Sequence, residues 1–78
     1  MKEVKDMGKC YRKVGNFGLY KDECGFLAVY SVFEDEGKKY ANFRGYLANP
    51  ENFESVVYEL KQEDYQEIAE LQREFGYA

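Results

Sequence analysis

Two hydrophobic periods divide the chain. From Asn16 to Leu47 the apolar positions suit strands, and beyond Asn49 they recur at helical spacing. The run Phe26-Leu27-Ala28-Val29-Tyr30-Ser31-Val32-Phe33 is continuous and β-rich, the signature of a central strand. Asn16–Asp22 and Lys38–Leu47 flank it. The links Glu23-Cys24-Gly25 and Asp35-Glu36-Gly37 both read as three-residue hairpin loops, with Gly supplying the left-handed residue that follows a type I turn. This loop places Asp22 opposite Phe26 and Glu34 opposite Lys38.

Side chains alternate between the faces of a sheet, so that register sorts them. One face gathers Phe17, Leu19, Leu27, Val29, Phe33, Phe43 and Leu47 around small Ser31, Ala41 and Gly45, a surface able to receive a helix. The other gathers Tyr20, Phe26, Tyr30, Val32, Tyr40, Asn42, Arg44 and Tyr46. A bulge at Gly45 would shift the last residues.

The helical part opens with Asn49-Pro50-Glu51: an N-cap, a proline at the first helical position and an acid in the first turn. Phe53, Val56, Val57 and Leu60 mark one face. The stripe then slips, and Asp64-Tyr65-Gln66-Glu67 has the form of a capping box. A break is expected near Gln62–Asp64, with a second helix turning Tyr65, Ile68, Leu71 and Phe75 inward and ending at Gly76. One bent helix is the alternative. Residues 1–15 form a basic arm, in which Cys10–Val14 reads as a fourth strand. The expected fold is α+β: a three-stranded antiparallel meander, four-stranded with the arm's strand, followed by two C-terminal helices packed on one face. Residues 1–15, 16–47 and 49–76 are its arm, sheet and acidic helical segment within a single domain, 1–78.

Composition supports a packed domain. A chain of 78 residues buries only about 60% of its unfolded surface, and eight Tyr and six Phe supply the large side chains such a core needs. Charge is segregated. Residues 1–49 carry nine Lys/Arg against seven Asp/Glu, a balance of +2; residues 50–78 carry two against eight, a balance of −6. The start has no apolar run resembling a signal peptide, and no apolar stretch approaches a membrane span, so a cytoplasmic location is expected (host cytoplasm for a phage-encoded protein).

The residues for common catalysis are missing. There is no His, which removes the most frequent general base and the His-dependent triads. Cys10 and Cys24 are too few for a tetrahedral zinc site and form no CxxC pair, and no phosphate-binding glycine motif occurs. Cys24 stands beside Asp22 and Glu23, which disfavour a thiolate. A non-enzymatic protein without cofactor or metal is expected, with two free thiols.

Two surfaces are candidates for binding. Glu63, Glu67, Glu70 and Glu74, spaced 4, 3 and 4, form one acidic row on a helix. Its charges lie about 6 Å apart, near the phosphate spacing of a nucleic-acid strand, so the row suits a basic partner surface that normally holds nucleic acid. A solvated flank is the plainer reading. The second surface is the tyrosine-rich face, with Tyr20, Tyr30, Tyr40, Arg44 and Tyr46 as contact residues for a protein or a second copy. Cover by the arm, through Val4, Met7, Tyr11 and Val14, is its plainer reading. Single-stranded nucleic acid ranks third, because net charge −4 opposes phosphate binding. A short acidic chain with a small sheet and acidic helices is similar in style to phage-encoded inhibitors such as anti-restriction and anti-CRISPR proteins. That resemblance, which involves no shared motif, implies an inhibitor directed at a nucleic-acid-binding protein.

Overall fold

The computed structural model describes residues 1–49, 55–56 and 58–77. Five strands form one antiparallel sheet: β1 (Lys2–Glu3), β2 (Arg12–Val14), β3 (Phe17–Lys21), β4 (Leu27–Asp35) and β5 (Lys38–Tyr46), in the order β1-β5-β4-β3-β2. Among the described residues a single helix, α1 (Gln62–Glu74), has defined ends. Both expectations of a three- or four-stranded meander and of two packed helices are therefore corrected. The fourth strand, β2, pairs Val14 with Phe17 across a tight turn at Gly15. The fifth, β1, is two charged residues with no alternating pattern, held on β5 by Lys2 opposite Ala41 and Glu3 opposite Tyr40. Ser55 and Val56 have helical backbone. The expected helix start at Pro50-Glu51 and the inward positions Phe53 and Val57 lie outside the described residues.

The two hairpins close differently. Between β3 and β4 the three-residue loop forms as expected: Asp22 N–H donates to the Phe26 carbonyl at 2.9 Å, and Gly25 takes φ 85°. The Asp22 carboxylate accepts the Cys24 and Phe26 N–H groups at 2.9 Å each, an Asx turn that fixes the loop. Between β4 and β5 the loop has two residues. Glu36 and Gly37 both have positive φ, 52° and 77°, the type I′ geometry whose twist matches that of the strands. Asp35 then stands opposite Lys38 and Glu34 opposite Lys39, placing opposite charges directly across the strands.

That single residue turns over half of β5. Ala41 stands opposite Val32 and Phe43 opposite Tyr30, while Tyr40 and Asn42 move to the other face opposite Phe33 and Ser31. A bulge then inserts Arg44: Phe43 pairs with Tyr30, but Gly45, at φ 147°, pairs with Val29. The bulge returns Tyr46 and Leu47 to the faces expected for them. Leu47 N–H reaches the Leu27 carbonyl at 2.9 Å and its side chain is fully buried.

The core lies between the sheet and α1. Phe17, Leu19, Leu27, Val29 and Leu47 form its floor, and Val14 closes its side. Val56, Ile68 and Leu71 cover it, with Leu60, Phe75 and Tyr77 packed at the margin. Phe33 and Phe43, expected in this core, are not: Phe33 stacks on Tyr40 beyond the helix, and Phe43 points the other way. Tyr65, expected inward, is 46% exposed.

Helix α1 starts at Gln62, before the proposed capping box, so Asp64 sits inside the first turn with Glu63. Both acids favour that positive end. The helix ends in paired bonds from Gly76 N–H to Arg73 C=O and Tyr77 N–H to Gln72 C=O, with Gly76 at φ 73°. No helix among the described residues is long and apolar enough to cross a membrane.

Candidate functional site

Because β1 and β2 are opposite edges of the sheet, the arm between them must cross one face. It crosses the face away from α1. Its short 3-10 turn, Val4–Asp6, lies against β5, and Asp6 and Met7 wall a cleft over Tyr20, Ala28, Tyr30 and Tyr46. Tyr20 is only 6% exposed. Burial pushes its phenol above the ordinary range, and the adjacent Cys10 thiol adds to that shift. The arm thus covers the β3 end of the tyrosine face and leaves the rest open.

A row of aromatic rings runs from the covered Tyr20 out to the open part. Tyr20 meets Tyr30 edge-to-face at 5.6 Å, Tyr30 meets Phe43 at 5.6 Å, and Phe43 meets Tyr46 at 5.3 Å. Each pair has the edge-on geometry aromatic quadrupoles prefer. Phe43 is 52% exposed and Tyr46 39% exposed; Phe26, at the end of the same face, is 47% exposed. Three large half-exposed rings close together on so small a domain make an apolar patch of the kind that marks an interaction surface.

Of the residues named on this face from sequence, Tyr20, Tyr30 and Tyr46 come together there. Tyr40 and Arg44 do not, because the two-residue turn places them on the helix side. Arg44 is engaged internally: its guanidinium donates to the Ser31 hydroxyl at 3.1 Å and to Glu59 at 2.7 and 3.2 Å, and it sits 5.7 Å from the Phe17 ring centre. Those bonds hold Arg44 above its ordinary pKa and Glu59 below its own. Phe43 was missed by sequence reasoning. The signal that would have found it is Glu36-Gly37 read as a two-residue turn.

The acidic row lies along the flank of α1 beside β2. Contacts follow the two elements in opposite directions: Tyr11 packs on Phe75 at 5.7 Å, Arg12 pairs with Glu67 at 3.5 Å, and Gly15 approaches Asp64. Glu67 is thus partly neutralised by the basic arm. Glu63, Glu70 and Glu74 are exposed and have no ion-pair partner among the described residues. The row and the aromatic face lie on opposite sides of the sheet, so one compact partner cannot cover both. Cys10 and Cys24 are both free thiols; the Cys10 sulfur donates weakly to the Leu19 carbonyl at 3.7 Å.

No family model, curated protein or solved structure matches the chain.

Proposed function

We propose that this chain is a non-enzymatic protein-binding module that docks a basic partner protein on its open aromatic face. The observation that carries the reading is the continuous edge-to-face row Tyr30–Phe43–Tyr46, in which Tyr30 is partly buried and the Phe43 and Tyr46 rings are 52% and 39% exposed. Exposed aromatics give large contact area for little loss of side-chain freedom, which is why they dominate binding hot spots. Charge selects the partner. The chain carries −4, so two copies repel each other while a basic protein is attracted and steered. That argues for a different protein, not a second copy, on this face.

A second reading keeps the acidic row as a nucleic-acid mimic. It is favoured by the exposed Glu63, Glu70 and Glu74, which have no ion-pair partner among the described residues, and weakened by the Arg12–Glu67 pair. Capture from cells of the source organism separates the two. The baits are the natural chain, Phe43→Ser with Tyr46→Ser, and Glu70→Lys with Glu74→Lys. On the aromatic reading a basic partner is lost with the serine bait and retained with the lysine bait. Loss with the lysine bait alone overturns it in favour of the mimic. Sedimentation of the free chain at twice its 9.2 kDa would instead put a second copy on the face.

A further inference from the structure

The cleft beside the aromatic row has a chemistry of its own. Its volume is about 460 Å³, and it is bounded by the Val4–Asp6 turn on one side and the β3–β4 loop on the other. The floor is aromatic: Tyr20, Tyr30 and Tyr46. The rim carries three carboxylates, Asp6, Asp22 and Glu23, against two ammonium groups, Lys2 and Lys21. One of those ammoniums is turned away. Lys21 alternates to the helix side of β3, where its Nζ lies 5.0 Å from the centre of the Tyr11 ring and 6.0 Å from that of Phe75. Lys2 is therefore the remaining cation at the rim among the described residues. Asp6 and Glu23 have no ion-pair partner among them. Tyrosine faces attract a cation through their quadrupole, and carboxylates at the margin add Coulomb attraction in the same direction.

We infer that this cleft receives one arginine side chain of the docked partner, its guanidinium stacked on the tyrosine floor and paired with Glu23 and Asp6. The inference rests on the aromatic-face reading and names the partner's chemistry within it. A guanidinium fits better than an ammonium. It is planar, it stacks on rings, and it is less strongly hydrated. Asp22 contributes charge but not its preferred acceptor, since one of its oxygens already takes two loop N–H groups. Lys2, at the same rim, opposes a second cation by its like charge.

The test titrates the full chain with N-acetyl-arginine amide, following backbone amide shifts, and repeats it with N-acetyl-citrulline amide, a neutral analogue of the same shape. Arginine amide should move the Tyr30, Tyr46 and Asp6 signals saturably, and citrulline amide should not. Glu23→Gln should weaken binding about threefold, the effect of one exposed charge contact. Lys2→Gln should strengthen it, by removing a repelling charge from the rim. Both side chains are exposed, so neither substitution removes a core contact. Equal responses to arginine and citrulline, shifts confined to Glu63–Glu74, or indifference to Glu23→Gln would each overturn the inference. Failure here, with a partner still lost on Phe43→Ser and Tyr46→Ser, removes the arginine site alone. A partner retained by that bait removes the aromatic face itself.

Discussion

Arg44 and Glu59 join the sheet to the segment that leads into α1, through two parallel hydrogen bonds of 2.7 and 3.2 Å. The two-residue turn before β5 makes this possible, because its register puts Arg44, the residue after Phe43, on the helix side, where Ser31 and the Phe17 ring complete its surroundings. A fork-to-fork contact of this kind fixes orientation as well as distance. A side chain that looked available for a partner is in fact spent within the fold.

Arg44→Ala should therefore lower stability without altering the aromatic face. The bond to Ser31 and the guanidinium's position over the Phe17 ring together contribute about 1 kcal/mol. In urea unfolding the midpoint should fall with the slope unchanged. Arg44→Lys should recover little, since an ammonium cannot make the paired contact. A variant as stable as the natural chain would show that the contact contributes nothing to folding.

Acid should weaken the fold through Glu59 and Glu3. Hydrogen bonds from Arg44 and from Lys5 hold these carboxyls below their ordinary value of 4.5. The folded state thus holds fewer protons than the unfolded state near that pH. The contribution is complete above the unfolded-state value and is lost as pH falls through the lowered folded-state values. Glu59 is exposed and the lysines paired with Glu3 are largely in solvent, so screening keeps the effect modest. Comparing urea midpoints at about pH 6 and about pH 3 should show a smaller acid loss for Arg44→Met than for the natural chain. Equal losses would remove Glu59 as a source.

Much of the architecture can be read from the chain, and the misreadings have one origin. The central strand follows from the run Leu27–Phe33, the first hairpin from Asp22 and Gly25, and the buried helix positions from the spacing of Ile68 and Leu71. The second hairpin does not follow. Asp35-Glu36-Gly37 is equally consistent with two loop residues or three, and a glutamate at positive φ is uncommon enough to favour the wrong count. One residue of register then misplaces Tyr40, Ala41, Phe43 and Arg44 together. Leu47 and Tyr46 escape because the bulge cancels the shift. Strand β1 has no signal of its own: two residues pair only because β5 offers an edge.

Leu71, with Ile68, should be a sensitive position of α1. It is 1% exposed and reaches the sheet core, so Leu71→Ala loses its burial and leaves a cavity, a cost of about 2–4 kcal/mol. A domain of this size has little stability beyond that, so circular dichroism should show partial unfolding at room temperature. Tyr65→Ala, at a position on the same helix that sequence spacing turned inward, should change stability far less, because the ring is largely outside the core. Similar losses for the two would contradict the helix orientation.

The turn that decides the aromatic face also offers the cleanest gain. Glu36 has φ 52°, a left-handed conformation that costs most side chains about 1 kcal/mol and that asparagine accepts more readily. Glu36→Asn creates the favoured Asn-Gly pair of a type I′ turn and should raise stability by about 0.5 kcal/mol. Gly37→Ala, at φ 77°, should lower it by about 1 kcal/mol, although open space surrounds the position and no clash contributes. If the loop had three residues, with Glu36 right-handed and only Gly37 left-handed, Glu36→Asn would bring no gain. The same pair of variants therefore measures the turn and, through its register, tests whether Phe43 lies beside Tyr30.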